Sequence, residues 1–253
     1  VLEPSNESPR NASEDELPAL LRDPANLVWI DMSSPGDAER KMLERDLSLH
    51  PLVIADMLAD ATTPKLERFD TYLYVVFHAL ADGAEKEGRV ETVDYDFFVG
   101  SNWVVSSHPE NSAAAEAAQA FFRKRPGELR RGGAFVMYKM VEHISDRFPV
   151  LMEKLDEEID ALEAQVLHAN GPQLLEQVFA MKRKLQRLRR VCLHEREVLN
   201  RLGRGECDFI GDDVLPFFRD AHDHFVRVVD LGDSFREIVN GTLEAYISIN
   251  GHK

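Results

Sequence analysis

The chain has 253 residues, with 45 acidic side chains against 30 basic ones, a formal net charge of −15, and 44% hydrophobic residues. That apolar content can fill a core without disulfide staples, while the acidic balance argues against broad affinity for nucleic acid, whose phosphates demand a basic surface, and favours cations. Cys192 and Cys207 form no CxxC or Cys/His cluster of zinc-site spacing and are expected as reduced thiols, and no apolar run approaches the roughly eighteen residues of a membrane-spanning helix.

Residues 1–16, rich in Pro, Ser, Asn and acids, have little to bury and read as a mobile lead-in without the pattern of a signal peptide. An α/β domain is expected over 17–131. Leu27-Val28-Trp29-Ile30 suits a buried strand, Ser34-Pro35 reads as the cap and first turn of a helix to about Leu47, and His50-Pro51 restarts a short helix over 51–59. Strands are expected at 66–80, 90–99 and 102–107, rich in Tyr, Phe and Val, with a hairpin at Gly100-Ser101. A helix over 112–124 completes the domain, and Gly132-Gly133 marks its end.

Beyond Phe135 the pattern is helical. Met137, Val141, Ile144, Phe148, Leu151, Leu155, Ile159, Leu162 and Val166 recur at three- and four-residue steps, with Pro149 expected to kink or split the run. After the turn Asn170-Gly171-Pro172 the pattern resumes at Leu175, Val178, Met181, Leu185, Leu188, Cys192, Leu199 and Leu202, so 132–205 read as an antiparallel helical hairpin. A third helix, about 214–250 within the segment 206–253, carries Phe218, Phe225, Val229, Phe235, Val239, Leu243, Tyr246 and Ile249. At 1.5 Å per residue it spans about 55 Å, and it is expected to pack in an oligomer; a monomeric coiled-coil spacer is the plainer alternative. The fold class is α+β, an α/β/α sandwich followed by long helices. The chain starts with Val and stops inside a helical pattern, so both ends are expected to be boundaries within a longer protein.

Two charge blocks face each other across the expected hairpin. Glu153, Asp156, Glu157, Glu158, Asp160 and Glu163 stand on the first arm, and Lys182, Arg183, Lys184, Arg187, Arg189 and Arg190 on the second. Counting outward from the turn near 171 places them at similar heights, as a mutually neutralising, solvated network worth under about 1 kcal/mol per exposed pair. The cluster Asp220-Ala221-His222-Asp223-His224 is the richest in metal-ligand types. On a helix Asp220 lies near Asp223 and His224 and can share a cation with either, but one helix supplies too few ligands to close a site. His222 and His224 point two ways, and His224 beside Phe225, on an oligomer seam, also reads as a hydrogen-bonded core residue. There is no nucleophile elbow, phosphate loop or HExxH, and Glu142-His143 lacks the Glu-x-x-His spacing of a ferritin-like centre, so no enzyme is expected.

The stretch His50-Pro51-Leu52-Val53-Ile54-Ala55-Asp56-Met57-Leu58, followed by Pro64-Lys65-Leu66-Glu67-Arg68-Phe69-Asp70-Thr71-Tyr72-Leu73, resembles the HPL-x-x-x-D-x-L and PK-x-E-x-F-x-x-Y signature of the CorA family. Glu153-Lys154-Leu155-Asp156-Glu157-Glu158-Ile159-Asp160 is similar to that family's acidic helix. Pro216-Phe217-Phe218-Arg219-Asp220-Ala221-His222-Asp223-His224, running on to 243–248, is similar to its stalk helix. The resemblance spans about 25–253. It implies an α/β domain, two "willow" helices and a stalk, five copies forming a funnel on the cytosolic face of the inner membrane, with the stalk continuing into a pore helix that ends in Gly-Met-Asn.

It also implies transport of Mg²⁺ and Co²⁺, with regulatory Mg²⁺ held between neighbouring protomers at positions matching Asp56 and Asp220. A further acidic position matches Glu142, and Asp223 and His224 are secondary candidates. Family members often carry Glu where this sequence has Ala55, which removes one carboxylate. ZntB-type members share the architecture and carry Zn²⁺, for which His222 and His224 would be the softer ligands. A coiled-coil structural adaptor without ion response and a ferritin-like metalloenzyme are the readings of other classes.

Overall fold

In the computed structural model, which describes residues 1, 9–59, 63–168 and 172–251, runs of aromatic and β-branched residues build one five-stranded sheet. Its strands are β1 (Val28–Ser33), β2 (Lys65–Arg68), β3 (Leu73–Leu80), β4 (Thr92–Val99) and β5 (Trp103–His108), in the order β1-β5-β4-β3-β2. β1 runs parallel to β5 and the other pairs are antiparallel. The single strand expected at 66–80 is two strands. Asp70-Thr71 breaks the run, Phe69 N–H donates to Tyr72 O at 2.9 Å, and β2 folds back on β3 with Lys65 opposite Val76. The hairpin at Gly100-Ser101 forms as expected. A side chain at Gly100 would stand 2.3 Å from the Trp103 indole, so only glycine fits there.

One face of the sheet, with Tyr74, Val76, Phe98 and Val105, is covered by α1 (Leu17–Arg22), α2 (Asp37–Asp46) and α3 (Pro51–Leu58). The sequence pattern did not announce α1, whose six residues bury only Leu17 and Leu20. α2 starts later than Ser34-Pro35 suggested. Ser34 takes a left-handed backbone and its Oγ accepts from Glu110 N–H, while Gly36 caps the helix, its N–H donating to Glu39 Oε2 at 2.8 Å. Of the expected mobile lead-in, 2–8 lie outside the described residues, Val1 and Arg10 bond to each other through their backbones, and Glu14–Glu16 form one 3-10 turn.

The opposite face, with Val75, Phe77, Phe97 and Val104, belongs to a second apolar cluster that runs on into α4 (Ala113–Lys124), α5 (Gly133–Ser145), α6 (Arg147–His168), α7 (Pro172–Gly203) and α8 (Leu215–Gly251). The helical run from Phe135 splits at Asp146, ahead of Pro149. Pro149 then occupies the first turn of α6, where a missing N–H costs no helical hydrogen bond. Arg147 ties this joint to the sheet, donating to Leu80 O (2.5 Å) and Ala81 O (2.8 Å) and pairing with Glu85 (2.6 Å).

The turn at Asn170-Gly171 falls outside the described residues. Glu158 and Lys184, equidistant along the chain from 171, pair as that turn implies, but α7 lies chiefly along α8. Arg189 reaches Asp233 (2.8 Å) and Arg219 reaches Gly203 O (2.8 Å), contacts that set α7 and α8 antiparallel. The expected exchange between the two charge blocks is thus only partial.

Phe218, Phe225, Val229, Phe235 and Val239, expected on an oligomer seam, are buried inside this chain, with the Phe225 ring 5.0 Å from Phe148. The face of α8 left outward is another one. It carries Asp220, Arg227, Ser234 and Gly241 in one row seven apart, and Leu231, Ile238 and Ala245 in the next. Leu231 is 43% and Ile238 38% exposed. Among the described residues no helix is long and apolar enough to cross a membrane. Cys192 and Cys207 are free and buried.

Glu195 is fully buried on the face of α7 that meets the sheet. The ladder of β2 on β3 starts at Lys65 opposite Val76, and beyond it on that open edge the His78 N–H donates to Glu195 Oε1 at 2.5 Å. Glu195 Oε2 has no hydrogen-bond partner among the described residues. Burial pushes this carboxyl well above its ordinary 4.5, against the pull of the His78 N–H. The folded chain therefore keeps a proton that the unfolded chain releases, and stability falls as pH rises above about 4.5 toward the folded value. Glu195→Gln, which retains the acceptor for His78 and does not ionise, is expected to flatten that slope. Melting temperatures from pH 5 to pH 9 should show its advantage over the wild type widening with pH.

Candidate metal-binding face

The short helix α3 presents Val53, Ile54 and Met57 to the core and leaves Asp56 48% exposed. Its carboxylate does not stand alone. In β2, Lys65 and Glu67 are two apart and so share a face, and Glu67 lies opposite Tyr74 across the ladder. Lys65 Nζ sits 2.6 Å from Asp56 Oδ2, 2.8 Å from Glu67 Oε1 and 5.0 Å above the Tyr74 ring. Burial works against the charge of Lys65, but the two carboxylates outweigh it and hold its pKa above the ordinary lysine value.

Tyr74 carries the chain of contacts inward, its hydroxyl donating to Asp96 Oδ1 at 2.6 Å. Asp96 is buried and its pKa is pushed up to about 7, chiefly by loss of solvent; the Tyr74 hydrogen bond pulls it down and Asp94 adds to the rise.

A second acidic group lies where α5 meets the start of α8. The Tyr138 ring packs on Phe217 (5.1 Å) and Phe218 (5.8 Å), and its hydroxyl donates to Glu142 Oε1 at 2.9 Å, one helical turn on. Lys139 pairs with the other oxygen of Glu142. Burial, then the hydrogen bond to Glu142 and the charges of Glu142 and Asp220, push the Tyr138 phenol upward. Asp220 itself is exposed.

Tyr138 thus joins Glu142 to the start of α8, whereas neither Asp56 nor Asp220 makes an ion pair or hydrogen bond to Glu142 or to the other among the described residues. The secondary candidates engage other partners. Asp223 is bonded to His222 Nδ1 (3.1 Å), and His224 lines a cleft of about 340 Å³ between α6 and α8 with Glu153, Asp156 and Arg227. Among the described residues no group of three or more His, Cys, Asp or Glu is placed to hold a metal ion within one chain.

Sequence reasoning missed Lys65 as the partner of Asp56, although Lys65 and Glu67 alternate within the quoted motif. It also missed Asp96, although Thr92, Asp94 and Asp96 form a polar row on one face of β4. A third polar cluster joins β1, β5 and α4. Asp31 accepts from Ser106 Oγ (2.5 Å) and Gln119 Nε2 (2.9 Å) and lies 3.1 Å from His108 Nε2. Here the serine bonds to the carboxylate and not to the imidazole, so the order of a nucleophile and its base is absent.

Residues 24–253 match the family model described as CorA-like Mg2+ transporter protein. The chain belongs to the CorA-like Mg²⁺ transporter family. That family is one of transporters, not of enzymes. Over 244 residues this CorA-family chain is 29% identical to the cobalt/magnesium transport protein CorA of Thermotoga maritima, covering 95% of itself and 68% of that protein. Its fold is similar to the soluble domain of CorA from Methanocaldococcus jannaschii, with a TM-score of 0.68 and 17% identity over 87% of each chain. It is also similar to the ZntB cytoplasmic domain from Vibrio parahaemolyticus, with a TM-score of 0.70 and 14% identity over 89% of this chain and 88% of the other. Both likenesses concern the fold alone and do not separate Mg²⁺ from Zn²⁺.

In this CorA-family chain Asp96 is expected to titrate near neutrality, as followed by its side-chain carboxyl carbon in NMR. Tyr74→Phe, by removing the one hydrogen bond that favours the ionised form, should raise the midpoint by about one pH unit.

Proposed function

We propose that this chain is the cytoplasmic ion-sensing and gating part of a divalent-cation channel carrying Mg²⁺, and also Co²⁺, at the inner membrane. In this reading 17–131 form the sensor, 132–205 the willow helices and 206–253 the stalk. Five copies assemble about α8. The observation that carries the reading is the placement of the acids. Asp220 stands exposed at the head of an outward row of α8, Asp56 is half-exposed on α3, and among the described residues no one chain closes a site. Rows seven apart that carry exposed Leu231 and Ile238 suit packing against the same helix of another copy.

The residues fit the ion. Mg²⁺ takes oxygen ligands, keeps several of its waters and is bound through one or two carboxylates. Asp56 of one protomer and Asp220 of the next supply such oxygens at a wet interface, and Glu142 adds a third nearby. Ala55 adds none. With free ion near its dissociation constant, each interface would be stabilised by about 0.4 kcal/mol and five by about 2 kcal/mol. That is enough to tilt two nearly balanced states of a ring. Without the ion, Asp56 and Asp220 repel across the interface and loosen the stalks, so the channel closes when Mg²⁺ is plentiful.

The test compares the mass in solution and the melting temperature of the wild type with those of Asp56→Ala/Asp220→Ala, with and without roughly 10 mM Mg²⁺, a concentration chosen to saturate a weak site. Mg²⁺ is expected to promote assembly or raise the melting temperature in the wild type only. An equal response of both proteins would refute the assignment of these two residues.

A further inference from the structure

We propose that Lys65 is a built-in competitor for the cation at Asp56, and that it sets the divalent-ion concentration at which this carboxylate is claimed. The inference rests on the reading of Asp56 as a metal ligand. Its own ground is the position of one ammonium group. Lys65 Nζ is shared between Asp56 Oδ2 (2.6 Å) and Glu67 Oε1 (2.8 Å), so a hydrated cation approaching Asp56 meets a carboxylate that already has a counter-ion.

Three features make this ammonium a tethered competitor and not a passing surface lysine. Its strand is held in place: β2 pairs with β3 throughout its length, and Arg201 donates to Leu66 O at 2.9 Å from behind. Its side chain is only 27% exposed and lies over the Tyr74 ring, which favours a cation there. It also has somewhere to go. When Asp56 turns to another cation, the ammonium stays beside Glu67 without crossing solvent or losing its charge partner. A single positive charge at high local concentration holds off monovalent ions of equal charge, whereas a divalent ion gains about twice the Coulomb attraction and can displace it. The same carboxylate without Lys65 would fill at lower ion concentration.

The experiment is a Mg²⁺ titration of the chain read by melting temperature and by sedimentation, in the wild type, Lys65→Gln, Lys65→Arg, Arg68→Gln and Asp56→Asn. Arg68 pairs with Asp208 and not with Asp56, so Arg68→Gln removes the same charge from the same strand without touching the carboxylate. Lys65→Gln is expected to lower the Mg²⁺ midpoint about two- to five-fold, the range of a partly exposed ion pair. Lys65→Arg and Arg68→Gln should stay near the wild-type midpoint, and Asp56→Asn should lose the response. An unchanged midpoint in Lys65→Gln, or equal shifts in Lys65→Gln and Arg68→Gln, would overturn the competition. If Lys65→Gln does not fold, a raised midpoint is expected from Glu67→Gln, which leaves the ammonium to Asp56 alone, and an unchanged one overturns the proposal. A wild-type response retained in Asp56→Asn, or none in the wild type, would remove the ligand reading itself and this role with it.

Discussion

Phe218 and Phe225, neither with any exposed surface, fix the rotation of α8 about its own axis. Phe225 meets Phe148 edge to face and Phe218 meets Tyr138 in the same way, so both ends of this contact are aromatic pairs with a defined angle. Seven residues separate the two phenylalanines, two turns of the helix, and they point the same way. Once that face is inside, the rows headed by Asp220 and by Leu231 must face out. The exposure of Asp220, Leu231 and Ile238 follows from this one docking of α8 on α5 and α6.

The same docking redistributes the charges. In the sequence the basic residues of α7 look like the counterpart of the acidic residues of α6. In the fold α7 contacts α6, α8 and the sheet, and its cations divide among them. Lys184 goes to Glu158, Arg189 to Asp233, Arg201 to the backbone of Leu66 and Arg187 to that of Val90. Glu153, Asp156, Asp160 and Glu163 are left exposed on α6, and they add to the negative potential of a chain that already carries fifteen surplus charges. Such a surface draws divalent ions toward the protein without itself being a site.

Acids in and against the sheet follow a common rule, each carboxyl being matched to specific donors. Asp96 has Tyr74, Glu195 has the His78 N–H, and Asp31 has Ser106, Gln119 and His108. Asp31 stays below its ordinary value because these donors outweigh its burial, whereas Asp96 and Glu195, with one donor each, are pushed up. The number of donors decides which carboxyls remain charged at neutral pH. Asp56 differs from Asp96 and Glu195 in lying half in solvent, where it is paired with the ammonium group of Lys65.

Much of the architecture was legible in the chain. Runs rich in Tyr, Phe and Val between turn residues marked the sheet, three-and-four spacing marked α5 to α8, and Pro, Gly and Ser marked the breaks, because each of these depends on neighbours within a turn or two. Even the family signature is two local motifs, 50–58 and 64–73. The missed elements are those with weak local signals: α1, with two buried leucines, and the β2–β3 turn, hidden inside a continuous run of strand-forming residues. Glu195 was legible in principle, since it occupies a step of the seam between Cys192 and Leu199, but only the unpaired edge of β3 explains why a carboxyl stands there. The sequence by itself determined the kinds of element, their order and the residue types available to a hard cation. Only the tertiary structure decided that α7 lies chiefly along α8, which face of α8 looks outward, and that Lys65 holds Asp56. The first two rest on contacts between residues far apart in the chain, such as Arg189 with Asp233 and Phe148 with Phe225, and Lys65, nine residues from Asp56, reaches it only because β2 is held by its pairing with β3.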